Sequence, residues 1–121
     1  MRLRNIQFEI RDVASIQEFE KYDLIIAFDT IHDQAQPINV LKEIYNSLKR
    51  DNGVFLMQDI AASSYVHNNI GNPLAPTLYT LFTMHCMIVS LAYNGEGLGT
   101  VWVRQKAEQK LKEADSLIEL R

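Results

Sequence analysis

The residues with the most chemistry in this chain lie in Tyr22–Pro37, YDLIIAFDTIHDQAQP. An apolar run, Leu24–Phe28, stops at Asp29, His32 and Asp33. A carboxylate there can accept hydrogen bonds from a ribose, an adenine amino group or an ammonium. A histidine beside it can act as a base near neutral pH. Asp12 and Asp59 also fall just after apolar stretches. Three acids at matching strand ends would line one edge of a parallel sheet, where ligands collect. Taken singly, each is also the residue that a turn or a helix cap uses.

Other groups point elsewhere. His67 lies in a polar loop and His85 in an apolar helical stretch, where a packed core histidine is the simpler reading. The three histidines show no metal-ligand spacing, so no metal is expected. Asn94-Gly95-Glu96-Gly97-Leu98-Gly99 is glycine-rich but follows a helical pattern. A phosphate-cradling loop must follow a strand and open a helix, so this stretch reads as a connecting turn.

The elements that must position these groups alternate along the chain. Asn5–Ile10, NIQFEI, alternates apolar and polar and predicts a strand. Ser15 caps a predicted short helix, Ile16–Lys21, with Glu18 at the capping-box position. Tyr22–Phe28 predicts the second strand. Pro37–Arg50 predicts a helix with Ile38, Leu41, Ile44, Tyr45 and Leu48 on one face. Gly53 follows it, suited to a positive φ, and Val54–Met57 predicts a third strand. A polar loop, Ala61–Pro76, leads to an apolar helix, Thr77–Ala92, a glycine-rich turn and a charged helix, Val103–Ala114. Asp115–Leu120 predicts the start of a fourth strand. This order implies an α/β fold with a mostly parallel sheet.

The 121 residues bound a single domain, 1–121, and 47% hydrophobic with 22% charged is an ordinary globular balance. A net charge of −3 and scattered basic residues argue against a nucleic-acid partner. The one cysteine, Cys86, sits in an apolar run and permits no internal disulfide; a buried, inert thiol and a cytoplasmic location are expected. No signal peptide is evident, and Leu78–Ala92 is shorter than the ~20 residues of a spanning helix, so no membrane partner is expected.

Three ordered segments resemble the class I S-adenosylmethionine-dependent methyltransferases. Phe8–Ala14, FEIRDVA, resembles the family's third strand and its acidic turn; the resemblance implies that Asp12, with Val13, binds the adenine. Tyr22–Asp33 resembles the fourth strand and the motif after it. Phe28 and Asp29 would then run beside the cofactor, and His32 would face the acceptor as general base, with Asp59 second. Val40–Asp59, a helix ending in Leu-Lys, a glycine turn and an apolar strand ending in an acid, resembles the helix and fifth strand and is the most specific piece. Thr83–Met87 and Gly97–Trp102 resemble the downstream part of a bacterial methyltransferase-like subgroup.

The implied fold is a partial Rossmann-like methyltransferase sheet lacking the first two strands, with their Gly-x-Gly-x-Gly loop and ribose-binding acid, and the seventh. In the family order 3-2-1-4-5-7-6, the missing strands separate the third from the fourth. Asn5–Ile10 is therefore expected to re-pair with Leu24–Phe28 or to join another chain. The implied function is methyl transfer from S-adenosyl-L-methionine to a small-molecule acceptor, with these residues alone expected to be inactive. Two other classes are consistent with the sequence: an interaction module completed by a partner chain or a second copy, and a receiver-like signalling domain with Asp29 as phosphoacceptor.

Overall fold

A computed structural model describes residues 4–60, 62–63, 65–98, 102 and 104–116. Its centre is two parallel strands, β1 (Leu24–Phe28) and β2 (Val54–Gln58), in register from Leu24 opposite Val54 to Phe28 opposite Gln58. A parallel bridge between Tyr22 and Leu48 precedes the pair. The helix α1 (Pro37–Ser47) connects the strands. Its first turn takes Pro37, whose missing N–H is no loss there. Val40, Leu41, Ile44 and Ser47 recur at helical spacing and are buried.

Beyond β2 come a 3-10 turn, Val66–Asn69, then α2 (Ala75–Leu81), a π segment, Phe82–Cys86, and α3 (Met87–Ala92), which run on as one helix. The last helix is α4 (Arg104–Ser116). The core joins Ile31, Val40, Leu41, Ile44, Trp102 and Ala107, with Ile25, Ala27, Phe55 and Met57 of the strands packed against them. α1 and α4 pack together, and the strand residues that join this core alternate with exposed ones. On the opposite face Leu24, Ile26, Phe28, Val54 and Leu56 are 49–54% exposed. Parallel sheets are ordinarily covered on both faces, because each face of such a strand is apolar.

The α/β architecture with a parallel sheet is as the sequence implies, and several details differ. Asn5–Ile10 forms no strand: it is unpaired, with Phe8 93% and Ile10 106% exposed. The expected re-pairing with β1 does not occur. The chain before β1 turns its hydrogen bonds to α1 instead: Glu20 N–H to Asn46 O, Lys21 and Tyr22 N–H to Ser47 O. Ile16–Lys21 is not a helix, since Gln17 and Glu20 take φ of 54° and 44°, outside the helical region. Asp12, rather than Ser15, caps a 3-10 turn at Val13–Ser15.

α1 stops at Ser47, three residues before Arg50, because Leu48 turns extended to bridge Tyr22. Gly53 has no positive φ; glycine is needed there because a Cβ would collide with Lys49 O and lie 2.8 Å from Lys49 N. His85 is exposed, not part of the core, whereas Cys86 is buried as expected. Asp115 and Ser116 belong to α4, so the fourth strand does not start there; residues 117–120 of that expectation lie outside the described residues. The continuous helix Ala75–Ala92 has a mean hydropathy of 1.3 over 18 residues and is long and apolar enough to cross a membrane by length and composition. Phe82, Cys86 and Ser90 on that helix are nonetheless buried within the chain.

Candidate functional site at the carboxyl ends of the strands

The ends of β1 and β2 lie side by side because the strands are parallel and in register. The ladder continues one step further, with Asp29 N–H donating to Gln58 O at 2.8 Å. Asp29 then takes φ of 51°, a left-handed conformation that Asp tolerates better than most residues. That turn ends the strand abruptly and leads into Thr30–Asp33. His32 in this turn is 1% exposed.

Three carboxylates surround its ring. Nδ1 lies 3.3 Å from Asp59 Oδ1 and 3.7 Å from Asp29 Oδ1, and Nε2 lies 3.2 Å from Asp33 Oδ1. The Asp33 contact is an ion-pair distance without hydrogen-bond alignment, and Asp33 Oδ1 is buried without a hydrogen-bond donor. Phe82 of the π segment meets the ring edge-on, with centroids 5.7 Å apart. Asp59 is itself held by the Ile60 N–H, at 2.9 Å, and by the indole N–H of Trp102. Trp102 is fully buried and ties the segment before α4 to the end of β2.

The electrostatics follow from this packing. Burial pulls the His32 pKa down, but the Asp59 hydrogen bond and the charges of Asp59, Asp33 and Asp29 outweigh it and hold His32 above its ordinary value. Burial pushes Asp59 up, yet the bonds from His32, the Ile60 N–H and Trp102 leave it below the usual carboxylate range. Asp29 is raised, first by burial and then by Asp59 and Asp33, against the opposing charge of His32. Cys86 is pushed up to about 12, by burial first and by Asp33 next. The site thus favours a buried imidazolium between carboxylates and an inert thiol.

Asp29, His32 and Asp59 are brought together. Phe28 ends β1 with its side chain on the half-exposed face. Asp12 is not part of the cluster: its carboxylate accepts from Ala14 N–H and the Ser15 hydroxyl. Val13 instead borders a groove of about 510 Å3 shared with Leu24, Ile26, Thr30, Val40 and Ile44. The glycine run behaves as a connecting turn: Gly97 takes φ of +63°, and Gly95 N–H and Gly97 N–H return to Ser90 O and Ser90 Oγ. Gly99, Thr100 and Val101 lie outside the described residues.

Trp102, Phe82 and Cys86 are the site residues that sequence reasoning missed, because nothing in their spacing marks them as neighbours of His32. Metal-type proximity was missed for the same reason. His32 with Asp29 and Asp59, and His32 with Asp33 and Cys86, each bring possible ligand atoms within 4.8 Å. The members come from different elements, so no short spacing announces them.

A protein family described as "Methyltransferase domain" matches residues 1–115. The chain belongs to this methyltransferase family. No curated protein matches it significantly. A methyltransferase domain is consistent with the parallel pair and displaces the receiver-like reading of Asp29. In this methyltransferase chain the acid-rich corner sits where open α/β sheets bind ligands, beyond the carboxyl ends of the strands.

Proposed function

We propose that the chain forms the acceptor side of an S-adenosyl-L-methionine-dependent methyl-transfer site acting on a small molecule, in the cytoplasm. The observation that carries this reading is the meeting of Asp29, His32 and Asp59 at the two strand ends of a methyltransferase domain. When bound, the cofactor would supply an electrophilic sulfonium methyl, which the acceptor attacks in line as the carbon–sulfur bond breaks and S-adenosylhomocysteine leaves.

The residues present fit one side of such a ligand. The groove beside β1, about 510 Å3, falls in the range of small-molecule pockets. Val13 borders it, and the backbone of Phe28 and Asp29 would run along the cofactor. Asp12 would meet the adenine with the carboxylate that now caps its own turn.

His32 would serve as the base in its neutral form, above its raised pKa, with Asp59 orienting the ring. The ring itself is buried, and Asp29, whose side chain is 59% exposed and lies 3.7 Å from Nδ1, is the member of the cluster that would meet the acceptor. Most of the gain from such a site is positioning, which needs both walls of the cleft. These residues alone therefore bind cofactor weakly and turn over little. A second reading, an interaction module completed by another chain, is favoured by the half-exposed sheet face. Calorimetry with S-adenosylhomocysteine separates them. Weak binding that Asp29→Ala reduces at least about tenfold supports the methyl-transfer site. No binding at millimolar ligand supports the interaction module.

A further inference from the structure

His32 presents its two ring nitrogens to different surroundings. Nδ1 faces Asp59, whose oxygens also accept from the Ile60 N–H and the Trp102 indole. Nε2 faces Asp33 Oδ1 at 3.2 Å without hydrogen-bond alignment, and that oxygen is buried with no donor. Cys86 completes this side: Nε2, Asp33 Oδ1 and the thiol all lie within 4.8 Å of one another. His32 and Cys86 are buried. Cys86 closes the π segment, Phe82–Cys86, a helix irregularity of the kind that gathers at functional sites.

We propose that His32 Nε2, Asp33 and Cys86 form a binding site for a zinc-type divalent cation, with a fourth position open to an outside ligand. Donor chemistry, spacing and outer support agree with this ion. Thiolate, imidazole and carboxylate are the ligands zinc takes, whereas magnesium and calcium take oxygen. Nitrogen and oxygen bound to one tetrahedral zinc stand ~3.4 Å apart, and nitrogen and sulfur ~3.6 Å. The 3.2 Å between Nε2 and Asp33 Oδ1 is close to the first, and the sulfur lies within reach. The cation would also satisfy the Asp33 oxygen that no donor meets. A zinc-bound histidine gives its other N–H to a carboxylate, and Asp59 stands at Nδ1 to accept it. The Cys86 thiol, protonated in the free chain, loses its proton as the cation binds. The Asp33 side chain is 34% exposed, which gives the ion an entry path. Asp29, His32 and Asp59 are the weaker set, because the Asp59 oxygens already accept three hydrogen bonds. Zinc on Nε2 takes the lone pair that His32 would use as a base and silences that role. This consequence rests on the methyl-transfer reading, and the binding itself does not.

The test uses the full chain, stripped of metal with a chelator and titrated with zinc chloride by calorimetry near neutral pH. One zinc per chain should bind with a dissociation constant of about 1 μM or tighter. Cobalt(II) in its place should give the near-ultraviolet charge-transfer band of a thiolate ligand. Cys86→Ser should remove that band, and Cys86→Ser and Asp33→Asn should each weaken zinc at least about tenfold with an unchanged circular dichroism spectrum. No saturable binding overturns the proposal. So does cobalt binding without the thiolate band, or an affinity that either folded variant leaves intact. If a variant misfolds, the wild-type cobalt band decides. Calorimetry with S-adenosylhomocysteine on the metal-free chain tests the methyl-transfer reading separately, so either can fail alone.

Discussion

Replacing Asp59 by asparagine removes one charge from the cluster and keeps its shape. His32 and Asp59 side chains are 2% and 9% exposed, so solvent screens their contact little. A hydrogen bond to a charged group contributes about 1.5–3 kcal/mol, and the asparagine amide would keep an acceptor for the Trp102 N–H. The loss should depend on pH. The His32 pKa is raised in the folded chain, so its contribution is complete below its ordinary value and fades as pH rises through the raised one. The Asp59 pKa is lowered, so its contribution is complete above the ordinary carboxylate value and fades as pH falls through the lowered one. Both are complete from about pH 4 to pH 6.5. Asp59→Asn should therefore cost about 2 kcal/mol in urea unfolding near pH 5.5, and less than half of that well above the raised His32 value. Proton NMR of the three histidines supplies the site readout. The His32 pKa should fall in the variant. An equal loss at both pH values, with His32 titrating as in wild type, would refute the ion-pair reasoning.

Three further outcomes follow from the packing. Trp102→Phe keeps an aromatic ring but leaves Asp59 without its indole donor; thermal unfolding should show a loss of about 1–3 kcal/mol. Cys86, buried with its thiol pushed up to about 12, should resist a thiol reagent near pH 8 in the native chain and react fully in denaturant. Gly53→Ala drives a Cβ into the Lys49 backbone at the turn between α1 and β2, and chemical denaturation should report a loss of about 1–3 kcal/mol.

The strands, the α1 face and the acids at the strand ends were legible because each is a local pattern: an apolar run, a 3.6-residue period, a charge at a boundary. Asp29 and Asp59 could be paired from sequence only by assuming a parallel sheet, and the register of β1 on β2 delivers that pairing. Asn5–Ile10 misled because alternation reports which faces differ, not whether a neighbour exists to pair with. Ile16–Lys21 misled because a capping pattern is weak beside the bonds that Glu20, Lys21 and Tyr22 make to the end of α1. Trp102 lies 43 residues from its partner Asp59, and that contact is fixed only when α4 docks on α1. Asp12 shows the limit of a motif: its residue type fits adenine recognition, while its bonds are those of a cap.

The most direct test of the methyl-transfer site is an NMR titration of the full chain with S-adenosylhomocysteine. The account predicts shifts concentrated at the amides of Val13, Phe28 and Asp29 and at the His32 ring. Shifts confined to α4 or to the Ala75–Ala92 helix, or none at millimolar ligand, would contradict it.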